Sequence, residues 1–182
     1  MKIKVGYAEL ESAQLCKAVK DARKYICGVG FLPDGRISST NGHVMFVCGG
    51  CDYYGHEIDA AVIVSIPKKP VRKYLYAVID TEQMLISYFD KVGEKIAVSM
   101  ISIIDGKFPD VDRVMSQFKN KSCDKIGFNA NYLSLIGKLS AFFNHKWNSV
   151  TIHLNGSTDG AITELGGLNK SAKIMVMPMR ID

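Results

Sequence analysis

Apolar and polar side chains alternate through residues 1–7, which predicts a first strand with one buried face. Between residues 9 and 24 the spacing changes. Leu15, Val19 and Ala22 recur at i, i+4 and i+7, the repeat of one helical face. Lys17, Lys20 and Lys24 fall opposite them with Arg23 on the flank, so the expected helix is amphipathic with a basic outer stripe. Strands are expected at 25–32 and 36–39, joined by the turn Pro33-Asp34-Gly35, and again at 44–47 and 60–66.

A basic connection broken by Pro67 and Pro70 follows, carrying Lys68, Lys69, Arg72 and Lys73. Beyond it, residues 74–79, 84–89 and 95–103 read as a meander of strands. Ser, Asn and Lys dominate 116–125, the best linker in the chain. Asn129 or Asn131 then stands where a cap belongs, before a second helix over 132–143. Its buried face would be Tyr132, Leu135, Ile136, Leu139 and Phe143. Strands at 150–154, 161–164 and 173–179 complete the pattern. The order strand-helix-strand-strand-strand thus occurs once near each end, a weak internal repeat of elements rather than of residues. The fold class expected is α+β, antiparallel sheets with two helices packed on one side.

Composition narrows the class. The 182 residues are 47% hydrophobic and 9% aromatic, ordinary for a packed globular chain and far from disorder. No run of about 18 apolar residues suggests a membrane span, and the first residues lack a signal-peptide core, so a cytoplasmic protein is expected. Five scattered cysteines, an odd number, fit reduced thiols. A net charge of +5 permits contact with a polyanion without demanding it.

The end of the chain is unusual. Ile174-Met175-Val176-Met177-Pro178-Met179-Arg180 is apolar where a terminus would ordinarily turn polar, so it must be anchored as a strand. Methionine is also the residue of adaptable binding surfaces, because its unbranched, polarizable side chain re-packs around different partners.

Four segments together carry a resemblance. They are residues 23–43 (Arg23-Lys24-Tyr25-Ile26 through Thr40-Asn41-Gly42-His43), 104–114 (Ile104-Asp105-Gly106-Lys107-Phe108-Pro109 through Val114), Gly127-Phe128-Asn129-Ala130-Asn131-Tyr132-Leu133, and the Met-Pro-Met-Arg tail. In this order they resemble the bacterial replicative sliding clamp, the DNA polymerase III beta subunit. More closely, the set is similar to the short clamp-like proteins of phages and prophages. The resemblance covers roughly residues 15–182, with a poor match around 66–100.

It implies a DNA-clamp-like fold: a clamp-like domain over 1–115 resembling the middle domain of the bacterial clamp, a linker at 116–125, and a half-domain over 126–182 resembling the end of the last one. It also implies a hydrophobic groove in which replication or repair proteins dock a short peptide. Carried over residue by residue, the groove would be Arg23, Ile26, Thr40, Gly42, His43, Val44 and Met45, then Pro109, Arg113, Val114 and Tyr132, and last Met175, Val176, Met177, Pro178 and Met179. Val44 and Met45 stand where the family has a basic and a leucine-like residue, and Asn41 replaces an Asp, so peptide preference is expected to differ.

In clamps, helices lining the central hole present cations to phosphates without reading sequence. Lys17, Lys20, Arg23 and Lys24 would do so here, binding double-stranded DNA. A bacterial clamp ring closes from two chains of three domains each, so a ring of this chain would need more copies, as a homo-oligomer. Two rivals stand beside this reading. One is a clamp mimic or regulator that binds replication proteins without encircling DNA. The other is a small zinc-dependent nucleic-acid binder using His43, Cys48, Cys51 and His56, whose His-x4-Cys-x2-Cys-x4-His spacing supplies four N and S donors but lacks the second cysteine pair of a zinc ribbon. No nucleophile elbow or phosphate loop occurs, and Asp105, Asp110 and Asp112 lie among turn residues. A non-enzymatic protein without a cofactor is expected.

Overall fold

Five apolar residues in a row, Val44 to Cys48, need cover on both faces of a strand, and that requirement organises the molecule. In the computed structural model, which describes residues 1–55, 58–67, 73–143, 146–166 and 172–180, they lie on β4 (Val44–Gly49). Val44, Phe46 and Cys48 enter the main core, while Met45 and Val47 enter a second cluster on the opposite face. Alternate residues of a strand point to opposite faces, so one strand serves two cores.

Before it come β1 (Lys2–Gly6), α1 (Tyr7–Cys16), β2 (Val29–Phe31) and β3 (Arg36–Thr40); after it come β5 (Cys51–Tyr54), β6 (Val62–Ser65), β7 (Tyr76–Asp80), β8 (Leu85–Phe89), β9 (Lys95–Met100) and β10 (Ser102–Ile103). The short helix α2 (Val111–Ser116), the longer α3 (Ala130–Phe143), β11 (Thr151–His153), β12 (Ala161–Glu164) and β13 (Lys173–Val176) complete the chain. A five-stranded sheet has the order β5-β1-β7-β8-β9, and an eight-stranded sheet the order β10-β6-β2-β3-β4-β13-β12-β11. All their pairings are antiparallel. The α+β class and the antiparallel sheets are as expected. The first part of the apolar tail, Lys173–Val176, is an interior strand of the larger sheet, paired to β4 with Met175 opposite Met45 and Ile174 opposite Phe46, and the strand ends before Met177 rather than running to residue 179.

The first expected helix is corrected. It begins at Tyr7 and ends at Cys16, well short of residue 24. Lys17 is already extended, and the amide of Ala18 donates to the carbonyls of Ile26 and Thr40 at 3.0 and 3.1 Å. Those tertiary hydrogen bonds draw the chain out of the helix, and a turn of 3-10 helix follows at Lys24–Ile26 before β2 starts. Leu15 and Val19, the expected buried face, are 46% and 86% exposed. The helix instead buries Glu9, Leu10, Glu11, Ser12, Ala13 and Cys16, packing on β3, β4 and α3. Such a surface carries no basic stripe. The Glu11 carboxylate accepts from the Tyr74 hydroxyl at 2.8 Å within a group of edge-packed rings, Tyr7, Tyr74, Tyr88 and Phe142.

Helix α3 matches its expectation closely, with Ile136 and Leu139 buried and Tyr132, Leu135 and Phe143 packed against the core. The residue pattern predicts neither β5 nor α2. Strand β5 leaves the Gly49-Gly50 turn to pair with β1, carrying the chain from the larger sheet to the smaller. Helix α2 is capped by Asp110, whose carboxylate accepts from the Arg113 amide at 2.9 Å. The basic connection at 68–72 lies outside the described residues; Lys73 sits 5.6 Å over the Tyr7 ring. Among the described residues, no helix is long and apolar enough to cross a membrane.

The second cluster depends on a close approach. A Cβ at Gly30 would stand 2.8 Å from two ring atoms of Phe108. Gly30→Ala is therefore expected to lift that ring and lower stability by about 1–3 kcal/mol. The readout is the denaturant midpoint at constant slope. An unmoved midpoint would show that Phe108 does not sit on the strand.

Candidate functional site

On the second face of the larger sheet, between that cluster and solvent, lies a groove of about 630 Å³. Its floor is the Met45–Met175 pair of β4 and β13. Past the end of β13 the backbone continues at the same edge, and the Met177 amide donates to the His43 carbonyl at 2.9 Å. Met177 therefore stands at the mouth, 42% exposed, with Met175 buried behind it.

The first wall is the turn from Thr40 to Val44, which its own side chains hold. Thr40 Oγ1 donates to the Val44 carbonyl at 2.6 Å and accepts from the Gly42 amide, while Asn41 Oδ1 accepts from the amides of His43 and Val44. Gly42 has φ +90°, a conformation that suits glycine, and the Arg23 guanidinium lies over it. Asp21 fixes that guanidinium with two hydrogen bonds of 3.0 Å. The same bonds pull the Asp21 carboxyl down to about 2. Tyr25 and Ile26 continue this side.

The opposite wall is Pro109, Val114 of α2 and the chain beyond it, Gln117 to Lys121. Helix α2 is clipped to β3 by Arg36, whose two terminal nitrogens donate to the Asp112 carboxylate at 2.8 Å each and whose Nε donates to Asp34 at 2.6 Å. Asn155, Asp159 and Gly160, between β11 and β12, close the far end.

Most of the residues named from the sequence meet here: Arg23, Ile26, Thr40, Gly42, His43, Val44, Met45, Pro109, Val114, Met175 and Met177 all line the groove. The others lie elsewhere. Val176 is buried in the main core, because neighbours on a strand face opposite ways and Met175 takes the groove side. Arg113 is on the exposed face of α2. Tyr132 stacks on His43 with ring centres 6.1 Å apart. Pro178 and Met179 run past the groove, where Met179 bridges to Gly127.

Sequence reasoning missed Tyr25, Gln117, Phe118, Lys119, Lys121, Asn155, Asp159 and Gly160. Phe118 within a polar run was a signal, since a lone aromatic in a linker needs cover. The others look like loop residues, and only the fold brings them in.

The four cations assigned to DNA do not share a helical face. Lys17 is half-buried with its ammonium 3.3 Å from the Ile66 carbonyl, and Arg23 belongs to the groove wall. Lys20 is exposed on the irregular segment after α1, and Lys24 is exposed at the start of the 3-10 turn. The metal alternative also finds little support. Cys48 points into the core, burial pushes the Cys51 thiol up, and His43 stacks on Tyr132; His56 lies outside the described residues. Among the described residues no three His, Cys, Asp or Glu side chains gather to hold a metal.

No family model matches the sequence, and no curated protein does. Solved structures do. A putative DNA polymerase III beta subunit from Eubacterium rectale superposes with a TM-score of 0.63 at 13% identity, covering 100% of this chain and 66% of its own. The beta subunit from Thermotoga maritima gives 0.61 at 13% identity, covering 100% and 66%. The sliding clamp from Pseudomonas aeruginosa gives 0.60 at 17% identity, covering 100% and 67%. This chain thus spans about two thirds of the length of those clamps. Throughout its length, it has the fold of the bacterial DNA polymerase III beta sliding clamp.

Proposed function

We propose that this chain is a non-enzymatic, sliding-clamp-like factor of DNA replication or repair that docks short client peptides in the groove floored by Met45 and Met175. The observation that carries the reading is that floor: paired thioethers at the centre of a sheet, with a third methionine at the mouth and hydrogen-bonded walls around them. Apolar anchors entering it would gain about 25 cal/mol for each Å² removed from water. The soft methionines would mould to them. The volume falls within the range of about 300–1,000 Å³ usual for ligand pockets. In this reading residues 1–115 form the clamp-like domain, 116–125 the linker and 126–182 the half-domain, joined where β4 pairs with β13.

The test is fluorescence anisotropy with a labelled Gln-Leu-Ser-Leu-Phe peptide and the folded chain. Binding with a Kd of roughly 1 μM is expected, about −8 kcal/mol. A flat titration at protein concentrations a hundredfold higher would sink the docking reading.

Docking without encirclement of DNA is favoured by one observation. Helix α1 is buried on most of its surface and presents no row of cations. Lys20 and Lys24 could still touch phosphates, as two isolated contacts. Duplex binding should then be weak and have a shallow salt dependence, since the slope follows the number of phosphates neutralised. A steep slope, with a ring-sized particle in light scattering on closed circular DNA, would restore the encircling clamp.

A further inference from the structure

We propose that the segment 117–121 is a specificity wall of the groove, and that it selects peptides carrying a carboxylate beside their apolar anchors. The inference rests on the docking reading above and adds the chemistry of the peptide's flank.

Two observations carry it. First, the segment is positioned although it lacks secondary structure. The Asn155 side chain, 3% exposed, accepts from the Lys119 amide at 2.9 Å and donates to the Gln117 carbonyl at 3.4 Å. The Gly156 amide donates to the Lys121 carbonyl at 2.8 Å, and Phe118 packs on the second cluster. One buried amide side chain thus holds the backbone of the wall across the end of the groove.

Second, the charges along the groove do not cancel. Arg23 is paired with Asp21, and Lys121 with Asp159 at 3.3 Å. Lys119 lines the groove with no ion-pair partner among the described residues. Asp159, already engaged, is the acidic side chain of the lining. A carboxylate reaching this end meets an uncompensated ammonium, whereas a basic flank meets like charge. The pair would form at a solvated rim, so it tunes selectivity rather than supplying affinity.

The experiment compares glutamate-flanked Gln-Leu-Ser-Leu-Phe peptides, extended before or after the anchors, with glutamine-flanked counterparts. The full chain and its Lys119→Ala, Lys119→Glu and Asn155→Ala variants are titrated at low and high salt. Wild type is expected to prefer one glutamate peptide by about two- to fivefold at low salt, with the preference fading at high salt. Lys119→Ala should bring the glutamate and glutamine peptides to equal affinity, and Lys119→Glu should reverse the preference. Asn155→Ala should also lose it, by releasing the backbone that carries Lys119. If Asn155→Ala fails to fold, the Lys119 variants decide the matter. Equal affinity of wild type for both flanks would overturn this inference and leave docking intact, and so would a preference that survives Lys119→Ala. Failure of every peptide to bind folded wild type would overturn both.

Discussion

Replacing Met177 by alanine is expected to weaken the Gln-Leu-Ser-Leu-Phe peptide by about four- to twelvefold while scarcely changing the stability of the free protein. The two effects separate because of where the residue sits. Met177 follows the last ladder pair of β13, is held by its backbone amide on His43, and leaves 42% of its surface in water. The free chain therefore loses little packing, and surface substitutions of this kind usually shift stability by no more than about 0.5 kcal/mol. A docked anchor would cover the exposed part. Covering a methionine side chain is worth about 1.5–3 kcal/mol in full, and roughly half of that corresponds to a factor of about four to twelve.

Gly160 offers an independent way to damage the same site. A Cβ there would stand 2.9 Å from Cγ and Sδ of Met175 and 3.1 Å from Sδ of Met177. These are flexible side chains, so Gly160→Val should tilt them into the groove without disturbing the sheet, and affinity should fall several-fold. Anisotropy and thermal melts on both variants make the check. Wild-type affinity in Met177→Ala would place the docking site elsewhere.

The largest loss of stability is expected from Phe46→Ala, about 3–5 kcal/mol. Phe46 is fully buried, lies opposite Ile174 on the neighbouring strand and stacks on Phe143 of α3 at 6.2 Å. Truncating it leaves a cavity where β4, β13 and α3 meet. No neighbour can fill that cavity easily, because the strands are tied by their ladder. A domain of this size has only about 5–15 kcal/mol to lose, so the variant should be marginal at room temperature. Urea titration measures the loss, and hydrogen exchange should show the β13 amides opening first. A midpoint shift equivalent to less than 1 kcal/mol would mean that the two ends of the chain do not depend on this joint.

Much of this was legible in the residues. The apolar run of β4 is a strand covered on both sides, and so is the first part of the tail, Lys173–Val176, whereas Met177 and Met179 lie beyond the strand and are exposed. The i, i+3, i+4 spacing of α3 placed its buried face correctly, because nothing outside that helix competes for its backbone. The groove residues were legible through the resemblance of four short segments rather than through any physical pattern. Where the fold departs from expectation, a tertiary partner won. The apolar spacing of Leu15, Val19 and Ala22 is sound helical grammar, yet Ala18 finds better hydrogen bonds in β3 and at Ile26, and the helix stops.

Local pattern by itself determined the class of the fold, most of its strands, one helix in full, and the fact that the last strand had to be buried. It did so because alternation and helical spacing reflect a side chain's own demand to leave water, a demand that needs no knowledge of the partner. Which partner answers that demand was settled only in three dimensions. The pairing of Met45 with Met175 joins residues far apart in sequence, and the same register that puts Met175 in the groove turns Val176 away from it. The wall at 117–121 exists because Asn155, from another loop, satisfies its backbone. Such placements depend on hydrogen bonds and packing between distant segments, whose geometry no local spacing encodes.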